Sequence, residues 1–341
     1  MNAYQRVMGL LDGKEIDRLP VAPILMAFAA HYYGKTYRDY YLDYRVLVES
    51  YLRSWRDFDF DMVMVISDPF RETEGFGTQF EYPEEGVPVM REHLLKKLEE
   101  MVNLKEPDPR TARRMRDRLQ AIEYFRREIG SEVPIVGWVE GPFAEAADLR
   151  GVQELMLDLM DAPEMVKELL EITLRAGLNF AREQVRAGAD LIGIGDAAAS
   201  LVSPLMYEEV VLPYEQRLIE GIHAAGAKVK LHICGNTTNL LPFMAQTGAD
   251  IIDLDWMVDL KLAREHFGDK ICICGNVDPV AVLLQGRPEE IRRAAYQCIQ
   301  DAGHPFILSP GCEVPAATPP ENLLALCRVP KEITREQIIA S

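Results

Sequence analysis

The chain has 341 residues, of which 48% are hydrophobic, and its formal net charge is −17 at pH 7. The hydrophobic content is typical of a globular protein with a sizeable core. The sequence contains no run of roughly 18 apolar residues, so no transmembrane helix is expected. A strongly acidic surface disfavours phosphate backbones and anionic lipids, so we expect neither a nucleic acid nor a membrane as partner.

The N-terminal sequence and the positions of the cysteines both bear on the cell compartment. The N-terminus, MNAYQRVMGLLDGKEIDR, has the pattern of an amphipathic helix and lacks the basic start and long apolar centre of a signal peptide. The six cysteines all lie in the last third: Cys234, Cys272, Cys274, Cys298, Cys312 and Cys327. This is not the framework of a small secreted domain, so we expect reduced thiols and a cytoplasmic location.

Short apolar strands alternate with helices along the chain. Strands are predicted at Val21–Met26, Met62–Ile66, Pro134–Val139, Leu191–Gly195, Lys228–Ile233, Asp250–Leu254, Lys270–Cys274 and Pro305–Ser309. Helices are predicted at Ala3–Leu11, Arg45–Asp57, Asp108–Glu128, Val152–Met160, Pro163–Ala187, Pro204–Ala224, Thr238–Gln246, Leu260–Phe267, Pro279–Leu284 and Pro288–Ala302. Apolar strands alternating with helices are typical of a parallel sheet that is buried on both faces.

Eight such units predict a (β/α)8 barrel, a TIM barrel of the α/β class, with an N-terminal helical extension. We expect one domain over residues 1–341. A doubly wound open sheet is the alternative, although no Gly-x-Gly-x-x-Gly opens a helix. The stretch Pro69–Met90 holds three glycines and three prolines and is too long for an ordinary loop, which predicts a hairpin excursion or a lid over the site.

The stretch KVKLHICGN, Lys228–Asn236, carries a candidate metal site. His232 and Cys234 stand two apart, and residues two apart in a strand point to the same face. An imidazole and a thiolate aimed at one point form half of a zinc site, and Cys312 can supply a third ligand. The opposing interpretation is that these cysteines are small buried hydrophobic residues.

Other polar residues follow the predicted strands, where the carboxyl ends of a barrel carry the active site. They include Asp68, Trp138, Glu140, Asp196, Asp253, Asp255, Asn276 and Asp278. Each Asp can instead cap a loop or a helix, and for Asp278 the following Pro279 favours the cap. The stretch ICICGN resembles LHICGN, so Cys274 is an alternative ligand to Cys234.

Several segments together resemble the uroporphyrinogen decarboxylase superfamily, over nearly the whole chain. They are DRLP after the first helix, EGPF at Glu140–Phe143, GADLIGIGD at Gly188–Asp196, CGNVDP at Cys274–Pro279, and a closing glycine turn followed by TPPENL at Thr318–Leu323. The superfamily has the barrel fold. The arginine-rich motif of the decarboxylases is missing after DRLP, and Gly311-Cys312 stands where they carry a histidine. Both departures indicate the methyltransferase branch, similar to methylcobamide:coenzyme M methyltransferases.

That branch carries His-x-Cys and a later Cys, which His232, Cys234 and Cys312 match. The resemblance implies a Zn²⁺ site with these ligands and an enzyme of the EC 2.1.1 class. Such an enzyme moves a methyl group from a methylcobalamin-type corrinoid to a small-molecule acceptor, with a thiol such as coenzyme M favoured. Asp255 is expected to fill the open metal position at rest or to accept a proton, and Glu140 is a further catalytic candidate.

The corrinoid is expected on a separate corrinoid protein, because this chain contains no Asp-x-His-x-x-Gly. Tetrahydrofolate or a related pterin is the alternative acceptor, with Asp196, Asn276 and Asp278 as its expected partners, and Trp138 is a further substrate-binding candidate. Two different functions also stay open at this point, a porphyrinogen decarboxylase and a non-catalytic module that binds zinc or docks a corrinoid protein. A homodimer is left open.

Overall fold

The computed structural model describes residues 1–332. Its strands are β1 Val63–Met64, β2 Phe80–Glu81, β3 Val89–Met90, β4 Ile135–Glu140, β5 Leu191–Gly195, β6 Lys228–Ile233, β7 Ile251–Leu254, β8 Cys272–Val277 and β9 Phe306–Pro310. Its α-helices are α1 Ala3–Leu11, α2 Met26–Tyr32, α3 Tyr37–Leu42, α4 Tyr44–Phe58, α5 Arg71–Phe76, α6 Arg113–Ile129, α7 Pro142–Arg150, α8 Val152–Asp161, α9 Pro163–Ala187, α10 Pro204–Met206, α11 Leu212–Ala224, α12 Leu241–Met244, α13 Leu260–Phe267, α14 Pro288–Ala302 and α15 Pro320–Glu332. Short 3₁₀ segments lie at Leu98–Asn103, Ala197–Leu201 and Thr238–Leu240, and π-helical segments at Tyr207–Val211 and Pro279–Leu284.

Seven parallel strands form the central sheet in the order β1-β4-β5-β6-β7-β8-β9. The segment around Val21 takes the eighth position, because Val21 pairs in parallel with Leu308 of β9. On its other side, the Asp61 N–H, just before β1, donates to the Val21 carbonyl at 2.7 Å. The ring of strands is thereby closed, and the predicted TIM barrel is confirmed.

The strands are buried on both faces, as their apolar sequences predict. All six residues of β4 are buried, and so are all five of β5. Helices cover the outer face, and their ends carry the expected signals: α9 begins at Pro163 and ends before Gly188, whose φ of 114° is left-handed. None of the described helices is both long enough and apolar enough to cross a membrane.

Several predicted elements are wrong in extent. The strand predicted at Lys270–Cys274 is Cys272–Val277, and the helix predicted at Asp108–Glu128 is Arg113–Ile129. Two further elements differ more strongly. The strand predicted at Val21–Met26 is reduced to the single pairing residue Val21, and α2 begins at Met26. Pro20 and Pro23 flank the pairing residue and have no N–H to donate to a neighbouring strand. The helix predicted over Pro204–Ala224 is divided into α10, a π-helical segment and α11, since Pro213 cannot bond the carbonyl four residues before it.

The segment Pro69–Met90 leaves the barrel after β1. It forms α5 and then a two-stranded antiparallel hairpin, in which Phe80 pairs with Met90 and Glu81 with Val89. The predicted hairpin excursion is confirmed, and its role as a lid stays a prediction.

Candidate metal centre at the barrel mouth

Three potential metal ligands converge at the carboxyl ends of β6 and β9. The ligand atoms of His232, Cys234 and Cys312 all lie within 4.8 Å of one another. His232 Nε2 is 3.1 Å from Cys234 Sγ and 4.0 Å from Cys312 Sγ. Cys234 directly follows the end of β6, and Gly235, with a left-handed φ of 88°, turns the chain away from the barrel. These three residues are hereafter called the triad.

Neighbouring loops hold the triad in place. A Cβ on Gly311 would lie 2.3 Å from the Trp256 backbone nitrogen, so only glycine lets the loop that carries Cys312 approach the loop after β7 this closely. Asp255, in that second loop, accepts a hydrogen bond from the Gly235 N–H at 2.9 Å. Asp255 therefore fixes the turn behind Cys234. It lies beside the triad, and its carboxylate is not in the group of converging ligand atoms found among residues 1–332.

Behind the triad, a buried ion pair orients the imidazole. His232 Nδ1 lies 3.1 Å from Asp253 Oδ2, and the same oxygen accepts a hydrogen bond from Lys230 Nζ at 2.6 Å. Burial raises the pKa of Asp253, but Lys230 and His232 outweigh it and lower that pKa to about 2. With Nδ1 engaged by a carboxylate, Nε2 is left to face the two sulfur atoms, the arrangement seen around metal-bound histidines.

Sequence reasoning missed this supporting pair. Lys230 stands two residues before His232 and therefore shares its face of β6. A lysine at a buried position of a strand needs a carboxylate partner, since an unpaired buried charge is costly. That signal could have been read from the sequence. The identity of the partner could not, because it follows from the register in which His232 lies opposite Asp253.

The two thiols of the triad are not equivalent. A hydrogen bond from Cys234 and the neighbouring His232 lower the pKa of Cys312 to about 4, in spite of burial. The hydrogen bond to Cys312 and burial in turn raise the pKa of Cys234. Thiolates are the form that binds metal. One imidazole and two cysteine sulfurs match the donor set of a catalytic zinc site with one open position, so these residues fit the ion.

The alternative ligand Cys274 is not in this group. It is the third residue of β8, fully buried, and it pairs with Asp253 of β7. Among the described residues, the converging set is His232, Cys234 and Cys312.

Glu140 and Trp138 lie on the neighbouring wall of the mouth, on β4. Glu140 Oε1 accepts a hydrogen bond from Arg71 Nη2 at 2.9 Å, and the Glu140 N–H donates to Glu72 Oε1 at 3.0 Å. Burial raises the pKa of Glu140 well above its ordinary value, although Arg71 opposes this. Sequence reasoning also missed Arg71, which lies on α5 in the excursion and carried no recognisable motif.

The three residues predicted to bind a pterin are engaged with backbone groups. Asp196 Oδ1 accepts from the Ala144 N–H at 2.8 Å, and Asp278 Oδ1 accepts from two N–H groups of the following helical turn, each at 2.8 Å. Asn276 Nδ2 donates to the carbonyls of Asp255 and Val258, at 3.0 and 2.7 Å. Asp278 acts as the helix cap that its sequence favours. A substrate-binding role for these residues stays a prediction.

Fold and site together define a (β/α)8 barrel with a His-Cys-Cys cluster at the carboxyl ends of its strands, the face that carries active sites in barrel enzymes. A model described as uroporphyrinogen decarboxylase (URO-D) matches residues 2–333, and the chain belongs to this family.

Curated relatives and a solved structure agree with this assignment. The chain is 35% identical over 267 residues to methylcobamide:CoM methyltransferase MtbA of Methanosarcina acetivorans, covering 77% of each chain. It is 29% identical over 358 residues to uroporphyrinogen decarboxylase of Trichodesmium erythraeum, covering 98% of each. A solved structure of a methyltransferase from Methanosarcina mazei superposes with a TM-score of 0.90 at 25% identity, covering 97% of this chain and 99% of that one. The predicted family and the predicted enzyme class, a methyltransferase, are confirmed.

Proposed function

We propose that this protein transfers a methyl group from a methylated corrinoid, carried by a separate corrinoid protein, to a small thiol at a zinc ion held by His232, Cys234 and Cys312. The observation that carries the proposal is the convergence of these three ligand atoms within 4.8 Å at the barrel mouth. The printed names of relatives such as MtbA, a methylcobamide:CoM methyltransferase, support the corrinoid as donor and coenzyme M as one candidate thiol.

A zinc ion held by the triad would act as a Lewis acid and lower the pKa of a coordinating thiol, so that this thiol would lose its proton near neutral pH. The residues of the chain prepare this position. Asp253 holds the His232 ring with Nε2 toward the site, and Lys230 keeps Asp253 ionised. Asp255 accepts hydrogen bonds from the N–H groups of Gly235 and Met257 and so fixes the turn that carries Cys234.

The transfer itself is a displacement at the methyl carbon. The acceptor thiolate is the nucleophile. Its sulfur forms a bond to the methyl carbon while the cobalt–carbon bond breaks, and the electron pair of that bond stays on cobalt. The products are a methyl thioether and the reduced corrinoid. The role of the barrel is to orient the acceptor, since the acceptor must be held in line with the incoming methyl group.

The remaining candidate functions have less support. The pterin interpretation relies on Asp196, Asn276 and Asp278. Asn276 Nδ2, Asp278 Oδ1 and Asp196 Oδ1 already bond to backbone groups, and within residues 1–332 only Asp196 Oδ2 of these three side chains is buried without a partner. A porphyrinogen decarboxylase needs cations for the substrate carboxylates, and the sequence has no arginine between Arg18 and Arg38. A non-catalytic zinc module needs four protein ligands, and the converging set within residues 1–332 has three.

Methylcobalamin turnover tests this proposal, because its demethylation changes colour. Zinc-loaded protein, zinc-stripped protein and stripped protein reloaded with zinc should be compared with a panel of thiols and with tetrahydrofolate. We expect turnover with a thiol, loss of turnover on stripping and recovery on reloading. Equal rates with and without zinc would refute the metal's role. Turnover with tetrahydrofolate alone would keep the methyltransferase class and refute the thiol.

A further inference from the structure

The loop after β7 lies between the two turns that carry the cysteines of the triad. Asp255 accepts hydrogen bonds from the Gly235 N–H at 2.9 Å and from the Met257 N–H at 3.2 Å, so this loop is attached to the turn after the first cysteine. On its other side the loop meets the turn before the second cysteine, since a Cβ on Gly311 would lie 2.3 Å from the Trp256 nitrogen. Trp256 and Met257 therefore border the triad.

The loop after β5 borders the triad from the opposite side of β6. It begins with the short 3₁₀ segment Ala197–Leu201. Within that segment the Ser200 side chain faces the turn after Cys234, because a Cβ on Gly235 would lie 3.7 Å from Ser200 Oγ. Leu201 follows directly, so its backbone is next to this turn. The turn that carries the first cysteine is thus enclosed by two loops, one from β5 and one from β7.

Both loops carry large apolar side chains that are open to solvent. Leu201 is 60% exposed, Trp256 is 47% exposed and Met257 is 43% exposed. These three residues are hereafter called the apolar rim. The chain has three tryptophans, and the other two are buried or half-buried. Tryptophan and methionine are enriched in binding surfaces, and apolar residues gathered beside a site indicate that a ligand or a partner covers them.

The position of the rim limits what can cover it. A methyl group that is transferred to a thiol at the triad must approach between the two loops, so its carrier passes against the rim. A corrin ring suits this surface, because its faces are largely hydrocarbon, its edge carries uncharged amides, and the three rim residues are uncharged in a chain of net charge −17. A second copy of the chain is the competing occupant, but it would close the mouth to the methyl donor.

We propose that Leu201, Trp256 and Met257 form the platform on which the corrin ring of the methyl donor rests, so that the ring covers the triad. The proposal rests on the proposed function and adds the residues by which this chain holds the donor. It assigns the donor to the loops after β5 and β7. The platform binds the ring itself, and therefore it should bind a free methylated corrinoid without a carrier protein.

Equilibrium dialysis against methylcobalamin, in the dark and without a thiol, measures this binding in the absence of reaction. We expect Trp256→Ala to weaken binding about tenfold and Leu201→Ala to weaken it severalfold, because each removes apolar surface that the ring would cover. Leu157→Ala is the matched control. Leu157 is 53% exposed and lies on α8, which packs on α7 and α9 outside the barrel, so this variant should bind as the unaltered protein does. All three variants should keep their zinc.

The outcomes separate the platform from the proposed function. No binding of methylcobalamin to the unaltered protein, or equal affinities in Trp256→Ala, Leu201→Ala and Leu157→Ala, would overturn the platform, and thiol turnover would still decide the function. Binding that weakens as expected, without methylation of any thiol, would support the platform and refute the thiol as acceptor. Sedimentation velocity tests the competing occupant: a dimer that dissociates in Trp256→Ala would assign the rim to a second copy and overturn the proposal.

Discussion

Two stretches of similar sequence, LHICGN on β6 and ICICGN on β8, have different places in the barrel. On β6 the strand ends at Ile233, and Cys234 follows it into the mouth. On β8 the strand continues to Val277, so the equivalent Cys274 is an interior residue of the strand, with no exposed surface. The same Cys-Gly-Asn pattern therefore produces a candidate metal ligand in one place and a core residue in the other.

The length of strand pairing accounts for this difference. β8 pairs with β9 through Gly275, Asn276 and Val277, beyond its cysteine. The asparagines differ accordingly: Asn236 is exposed, whereas Asn276 is 8% exposed and bonds two carbonyls of the loop after β7. Alternation in a strand decides which face a side chain occupies, while the point at which pairing ends decides whether it reaches the site.

The largest expected effect is a difference in zinc content between Cys234→Ala and Cys274→Ala. We expect the first variant to lose most of its zinc and its methyl transfer, because two ligands remain in the triad. The second should keep about one zinc per chain, since Cys274 is outside the converging group. Metal analysis of the purified variants measures the contrast. Loss of zinc from Cys274→Ala alone would mean that the ICICGN copy is the true site.

A smaller loss of zinc affinity should follow from substitution of Asp253, the carboxylate behind His232. Asp253→Asn weakens the hold on the imidazole and leaves Lys230 without a full charge partner, so we expect zinc affinity to fall about 10–100-fold. Competition with a chromophoric chelator gives the affinity. Asp278→Asn, at the end of β8, is the control. It keeps a capping oxygen for the following turn and should leave zinc affinity unchanged. Equal losses in the two variants would refute the orienting role.

Substitution of the two asparagines should have different effects on the stability of the protein and should not affect metal binding. Asn276→Ala leaves two buried carbonyls without their donor, and we expect a loss of about 2–3 kcal/mol in the free energy of unfolding. Asn236→Ala removes an exposed side chain that accepts a hydrogen bond from the Thr238 N–H at 3.1 Å, and should cost about 1 kcal/mol or less. Urea denaturation of both variants gives the comparison. Similar stabilities would show that the buried amide does not hold the loop after β7.

Several elements and the metal-ligand triad could be predicted from the sequence. The bounds of β5, β6, α9, α13 and α14 agree with the sequence, because proline, glycine and capping residues mark several of their ends. The meeting of His232, Cys234 and Cys312 was also predicted, from strand alternation and from family resemblance.

What the sequence could not supply was tertiary register. Nothing local to Lys230, Asp253 or Arg71 says which partner faces it, and nothing in ICICGN says that pairing with β9 continues past Cys274. Likewise, the shortened first strand depends on prolines at Pro20 and Pro23, whose effect is visible only once the neighbours of Val21 are known.

X-ray absorption at the zinc edge, before and after addition of a thiol acceptor, tests the central claim most directly. Zinc should have two sulfur ligands and one histidine nitrogen from the triad, with a lighter atom at the fourth position, and the thiol should raise the sulfur count to three. A sulfur count other than two before the thiol is added, or a sulfur count that stays at two while the thiol is turned over, would contradict the account.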